Sequence, residues 1–195
     1  MNLELPPSIR SEIKLLEDEV YDLQQMIDLL EEFTLLSEDE FALLNRYAKR
    51  TLLASLPAVV ESIVIRISRL TEPALACGHN NLTLGSLVHS CRAIGKQALA
   101  DEAETKFFSL KREAEVAREL HRNKRYAHRD YEQALGPTTL PPLSLPKLQC
   151  LVAGMAEYLN IIRVTLTDSS FDFRADPSGN LKSLIATLQR YESSK

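Results

Sequence analysis

The chain has 195 residues, of which 45% are hydrophobic, and it carries a net charge of −4. This length and composition are sufficient for one globular domain with a substantial core. No stretch reaches the roughly twenty uninterrupted apolar residues of a membrane span, and the N-terminus lacks the basic-then-apolar order of a secretory signal. Three cysteines form no disulfide framework, which suits a reducing compartment. We therefore expect a cytoplasmic protein with no membrane partner.

Charge is distributed unevenly along the chain. Residues 1–40 contain twelve acidic side chains against two basic ones, whereas residues 111–129 contain seven basic side chains against three acidic ones. A polyanion would be attracted to the second of these segments alone. The acidic arm, residues 12–40, is predicted to be a solvated helix face, and a docking site for a basic partner is the alternative.

The first predicted element is a long amphipathic helix over residues 8–35. Its apolar residues recur from Ile9 to Leu30 in alternating steps of four and three, which traces one stripe along a helix, and Pro6 and Pro7 fit its first turn. The repeat is heptad-like, so the helix could pair with another chain, but packing in its own bundle is the more frequent arrangement.

Two further helices are predicted before the first loop. Ser37 and Glu40 form a capping-box pattern that opens a helix from Phe41 to about Leu56. Pro57 is expected to start or kink the next helix, which ends near Leu70.

Loops and helices alternate in the rest of the chain, and no segment has the alternating pattern of a convincing strand. Residues 71–83 are predicted to be a loop, with Thr83 as the N-cap of a helix over residues 84–94. The fold class is therefore predicted to be all-α, a bundle of about six to seven helices in a single domain spanning residues 1–195. Its later elements are one long helix over residues 96–125, a proline-rich loop over residues 136–146, and C-terminal helices over residues 146–192.

The segment that could carry chemistry is residues 121–130, where the long helix is expected to end. Arg122 and His128 are six residues apart, which on a straight helix places them about 120° from each other. Their side chains therefore converge only if the backbone bends or if a second subunit supplies a partner. Without such convergence the segment is a solvated basic helix end, whose cations favour the helix dipole.

These residue types suit cleavage of RNA without a metal. A histidine with a pKa near 6.5 can take or give a proton at neutral pH, and an arginine can hold a phosphate and offset the charge that grows on it. The ribose 2′-hydroxyl, which DNA lacks, would be the nucleophile. The neighbouring side chains could hold the RNA backbone or stack on a base, and we predict RNA binding by His121, Lys124, Arg125, Tyr126 and Arg129.

At this segment the chain resembles the HEPN ribonucleases, whose motif is an arginine, usually a polar residue, several further positions and a histidine. Arg122, Asn123 and His128 fill that motif. Residues 68–73 followed by residues 81–84 are similar to the abortive-infection U-type branch of the superfamily. The similarity covers roughly residues 40–170.

The resemblance implies an all-α bundle, a homodimer that brings two motifs together, and metal-independent cleavage of RNA without a cofactor. It also implies a toxin or antiviral effector that is held in check by an antitoxin or a nucleotidyltransferase. Arg122 and His128 would be the catalytic pair, with Asn123 as polar support. In one HEPN branch the nucleotidyltransferase modifies a tyrosine two places after the histidine, a position that is Asp130 here. The alternative function is a catalytically inactive HEPN-like module that binds RNA or protein.

The cysteines and histidines offer a weaker alternative. Cys77 with His79, and His89 with Cys91, are ligand types that zinc prefers. Residues two apart on a helix point about 200° from each other, so His89 and Cys91 could not easily share one ion. We therefore expect no metal site, and we predict that Cys91 and Cys150 are small core residues.

Overall fold

The computed structural model describes residues 6–76, 78–118, 144–174 and 181–194. Within these ranges the chain is helical apart from short connections and one two-stranded hairpin, which confirms the all-α class and a HEPN-like bundle. In chain order the elements are α1 (Pro7–Thr34), α2 (Glu38–Thr71), β1 (Leu75–Ala76), β2 (His79–Asn80), α3 (Leu84–Ala93), α4 (Gln97–Glu113), α5 (Leu145–Thr167) and α6 (Leu181–Ser193).

Helix α1 buries its apolar stripe inside its own bundle, as predicted. Pro7 occupies the first turn, where its missing N–H costs nothing. The alternative in which Val20 and Leu23 recruit another chain is wrong, because both side chains are fully covered by the same chain. The buried members of the stripe are Ile9, Ile13, Leu16, Val20, Leu23 and Ile27.

Two local capping predictions are confirmed. The Ser37 hydroxyl accepts the Glu40 N–H at 3.3 Å, and the Glu40 carboxylate accepts the Ser37 N–H at 2.9 Å, which closes the capping box of α2. Thr83 is the N-cap of α3, and its N–H donates to the Ser86 hydroxyl at 3.4 Å. At each of these two helix starts, the backbone N–H of the N-cap residue is thus bound by a side chain three positions away.

The prediction that a new helix starts at Pro57 is wrong. Helix α2 runs through Pro57, and its non-helical residue is Ala48, with φ −131° and ψ 19°. A proline removes one helical N–H, and the carbonyl that loses this partner belongs to Leu53, a residue on the solvent-exposed side of α2. Water can bind that carbonyl, so the helix continues through the proline.

Three other sequence expectations need correction. The predicted loop contains a small antiparallel hairpin, in which Leu75 pairs with Asn80, and Gly78 has the positive φ of 79° that its turn requires. The predicted long helix is interrupted, because α4 ends at Glu113 and the backbone then passes through a turn and a π-helical stretch at residues 116–118. Cys150 is exposed rather than buried, because α5 turns it away from the core.

The helices enclose a main apolar core to which α1 to α5 contribute. A second, smaller cluster joins the start of α2 to α6 through Leu43, Leu44, Leu181 and Ile185. The side chain of Glu32, near the end of α1, accepts the Leu181 N–H at 2.6 Å and ties α6 to α1. The predicted C-terminal helices over residues 146–192 correspond to α5 and α6, whose outer bounds are Leu145 and Ser193.

Two helices in the described part of the chain, α2 and α5, are long and apolar enough to cross a membrane by length and composition. This is a weak indication, since a core helix passes the same test. Helix α5 places its apolar side chains in the bundle core, among them Leu151, Val152, Met155 and Leu159.

The buried and the exposed cysteine predict different thiol reactivities. Burial, with a smaller contribution from the Glu12 carboxylate, raises the pKa of the Cys91 thiol to about 11. In a Cys77→Ser variant at pH 8 we expect Cys150 to react with a disulfide reagent at least about a hundredfold faster than Cys91, because the thiolate is the reacting species. Denaturant should make the two rates similar. Equal rates in the folded protein would contradict the burial of Cys91.

Candidate functional site

All eight predicted site residues lie outside the described residues. Residues 119–143 contain the catalytic Arg122, Asn123 and His128 together with the five predicted RNA-binding side chains. Whether these side chains converge therefore stays a prediction. The described helices do show where the chain lies just before and just after this segment.

The segment connects two helices that pack side by side in opposite directions. Lys106 of α4 forms an ion pair with Glu157 of α5. One turn further along α4, Leu110 packs on Gly154, so closely that a Cβ on the glycine would lie 2.9 Å from the leucine methyl. These two contacts align α4 with α5 so that Arg118 and Ser144 lie at nearly the same height along the bundle. The two ends of the motif-bearing segment are therefore anchored at the same end of the bundle.

The start of α3 lies near the same end. Helices α3 and α4 are also antiparallel, since Arg92 pairs with Glu104 at 2.5 Å while Gly85 contacts the ring of Phe107. A Cβ on Gly85 would lie 2.9 Å from that ring, so the close approach requires a glycine. The hairpin directly precedes α3 and lines an open cleft of about 520 Å³ with residues of α3 and with Glu12 of α1.

The helix irregularity after Glu113 lies just before the motif. Ala114 and Ala117 remain buried through it, so the irregular turn still packs on the bundle. Single π-helical turns are frequent at functional sites because the wider turn redirects the side chains that follow. Because this one precedes Arg122, it leaves the predicted angle between Arg122 and His128 unchanged. A second subunit or a later bend is still needed to bring those two side chains together.

The acidic arm is largely the solvated face that the sequence predicts, with Glu17 as its one buried acidic side chain. Glu17 is buried and binds Arg163 of α5, with both carboxylate oxygens 2.7 to 2.8 Å from one guanidinium nitrogen. Glu19 pairs with Arg66 and Arg69 of α2 at 2.8 and 3.3 Å. These carboxylates of α1 therefore hold neighbouring helices, which leaves them unsuited to a dedicated docking site for a basic partner.

The position of Glu17 in the sequence indicates its burial, although glutamate is usually a surface residue. Glu17 is four residues after Ile13 and three before Val20, so it belongs to the apolar stripe. A charged residue at such a position requires a partner in the core. Its partner, Arg163, is 146 residues away and could not be identified from local patterns.

The zinc-type ligand set does not come together in the described residues. His89 is exposed and Cys91 is fully buried, as expected for positions two apart on a helix. Cys77 lies outside the described residues. Tyr158 fills the space near Cys91 and donates its hydroxyl to the Leu84 carbonyl at 2.7 Å, and its burial raises the pKa of that hydroxyl. The prediction that Cys91 is a core residue is confirmed.

Comparison with known proteins agrees with this architecture. A family model described as HEPN AbiU2 matches residues 8–180, which include the motif segment and both helices that flank it. The fold is that of an all-helical HEPN-type protein, a class connected with abortive infection. The chain belongs to the HEPN AbiU2 family. No curated protein and no solved structure gives a significant match.

Proposed function

We propose that the protein is a metal-independent endoribonuclease of toxin or antiviral-defence type that acts as a homodimer in the cytoplasm. The observation that supports this proposal is the family match, because it extends across Arg122, Asn123 and His128. These residues have the order and spacing of the HEPN motif. An antitoxin or a nucleotidyltransferase would be the regulating partner.

The reaction assigned to these residues needs no bound ion. The ribose 2′-hydroxyl attacks the adjacent phosphorus, and the bond from phosphorus to the 5′-oxygen breaks. His128 takes the hydroxyl proton or gives a proton to the leaving oxygen, and Arg122 stabilises the negative charge on the phosphoryl oxygens. Asn123 orients the pair. The products are a 2′,3′-cyclic phosphate end and a 5′-hydroxyl end.

The homodimer supplies the geometry that a single helix cannot. Arg122 and His128 point about 120° apart on a straight helix, whereas a two-fold axis repeats each side chain and can place the arginine of one subunit opposite the histidine of the other. The charge distribution also supports RNA as the substrate, because the basic segment at residues 111–129 contains the motif, while Glu17 and Glu19 of α1 are paired with arginines of the bundle.

The first test is cleavage of a mixed RNA pool by the purified protein in excess EDTA. We expect cleaved RNA with cyclic phosphate ends and no cleavage of a fully 2′-deoxy oligonucleotide of the same sequence, because only the ribose carries the nucleophile. Cleavage that requires an added divalent cation, or that proceeds on the deoxy strand, would contradict the mechanism. RNA binding without cleavage at any protein concentration would favour the inactive binding module.

A further inference from the structure

One large aromatic side chain, Phe108, lies exposed on α4, thirteen residues before the motif segment begins at residue 121. Phe108 is 59% exposed, whereas its neighbour Phe107 is buried in the core. The centroids of the two rings are 6.2 Å apart and the rings are tilted by 47° to each other. An exposed phenylalanine ring costs solvation free energy and presents a flat apolar surface to solvent.

Two cations share this face of the helix. Lys111 and Arg112 follow Phe108 by three and four residues, so their side chains are its neighbours on the helix surface. Neither has an ion-pair partner in the described part of the chain, although both favour the dipole at the end of α4. The acidic neighbours on the face are Glu104, which Arg92 neutralises, and the exposed Glu115.

We propose that this face of α4, defined by Phe108, Lys111 and Arg112, binds single-stranded RNA on its way to the motif. A base would stack on the Phe108 ring, and the two cations would contact the flanking phosphates. The proposal rests on the proposed function, and it adds a positioning surface ten or more residues ahead of the predicted catalytic pair. A single strand is required, since the bases of a duplex are already stacked on each other.

The chain contains a matched control surface. Lys49 and Arg50 of α2 are exposed and precede Leu53, which is 67% exposed, by four and three residues. This triple has the same charges and spacing as the α4 triple, in the opposite order, but it has a leucine in place of the aromatic ring. It also lies on a helix that does not lead into residues 119–143. Substitutions there separate general charge and apolar effects from stacking.

The test measures binding of a fluorescent twelve-nucleotide single-stranded RNA by anisotropy, in a His128→Ala background that prevents cleavage. We expect Phe108→Ala to weaken binding at least about fivefold and Phe108→Trp to preserve it, because an aromatic face is what the base requires. Lys111→Gln with Arg112→Gln should lower the slope of log affinity against log salt by about 1.4. Glu115→Gln should tighten binding.

The α2 variants and a duplex RNA serve as the controls for this test. Leu53→Ala and the pair Lys49→Gln with Arg50→Gln should leave affinity and salt slope unchanged, and Phe108→Ala should leave any binding of a duplex RNA unchanged. Wild-type affinity in Phe108→Ala, or equal losses in the α2 controls, would overturn the inference. Because binding is measured without cleavage, a protein that never cuts RNA but depends on Phe108 for binding would overturn only the proposed nuclease activity.

Discussion

His128→Ala is expected to lower the rate of RNA cleavage by roughly 10²- to 10⁴-fold, the usual contribution of a positioned proton-transfer group. Arg122→Ala should lower it by roughly 10²- to 10³-fold, because the charge that grows on the phosphate loses its main counter-charge. The measurement is the single-turnover rate on a defined RNA with saturating protein. The controls are His89→Ala and Arg50→Ala, which remove an exposed histidine and an exposed arginine from other helices.

Mixing the two inactive variants tests whether the site is shared between subunits. If Arg122 of one subunit acts with His128 of the other, each mixed dimer contains one intact site. Random exchange then restores about a quarter of the wild-type sites, since about half of the dimers are mixed and each has one of two sites intact.

The two other outcomes have definite meanings. No recovery after verified subunit exchange would show that both residues of a site come from one chain, in which case the backbone must bend between them. Full activity of either variant alone would remove that residue from the mechanism. The controls identify losses that come from impaired folding, because they alter the same residue types at exposed positions.

Sequence patterns predicted those features of the fold that depend on neighbours along the chain. The stripe of α1, the capping box at Ser37 and the N-cap at Thr83 follow from residues that are close together along the chain. Neighbouring residues are sufficient to determine such features. They were therefore recovered without knowledge of the tertiary structure.

Several features that the sequence predicted wrongly or left open depend on contacts made across the fold. Pro57 is a poor helix residue, but exposure on that side of α2 lets the helix continue, and nothing local predicts that the irregularity falls at Ala48. Cys150 has the composition of a core residue and yet faces solvent. Phe107 and Phe108 are adjacent, so only one can face the core, and the packing of α3 against α4 decides which.

The candidate site depended on recognition rather than on folding physics. The Arg122 and His128 pattern is common in basic helix ends, and the match to the HEPN AbiU2 family is what gives it functional meaning. The surface on α4, in contrast, was identified from the structure and not from a resemblance. Its residues belong to no motif, and only the exposure of Phe108 beside Lys111 and Arg112 indicates a role.

Arg163→Met is expected to destabilise the protein by about 3 kcal/mol or more, because it leaves the buried Glu17 carboxylate without its partner. Glu17 is 2% exposed, so water cannot readily replace the lost hydrogen bonds. Arg163 also lies 5.9 Å from the centre of the Phe171 ring. The Asn160 side chain holds the backbone of Phe171, because its amide donates to the Phe171 carbonyl and its oxygen accepts the Phe171 N–H. Losing the arginine should therefore loosen the chain after α5 as well.

The measurement is urea unfolding followed by circular dichroism, with Arg174→Met as the matched control. Arg174 also forms a bidentate pair, with Asp172, but both side chains are exposed, so we expect no measurable change in the unfolding midpoint. If Arg163→Met and Arg174→Met unfolded at the same urea concentration, the buried pair would not be a stabilising contact between α1 and α5.

The double variant Glu17→Leu with Arg163→Met separates the two contributions to this loss. Removing both charges eliminates the unpaired carboxylate, and an apolar pair of similar volume in a buried position is often as stable as the ion pair it replaces. We expect the double variant to recover most of the stability lost in Arg163→Met. Recovery would mean that the pair chiefly specifies how α1 and α5 align, since its net contribution to the free energy of unfolding would then be small.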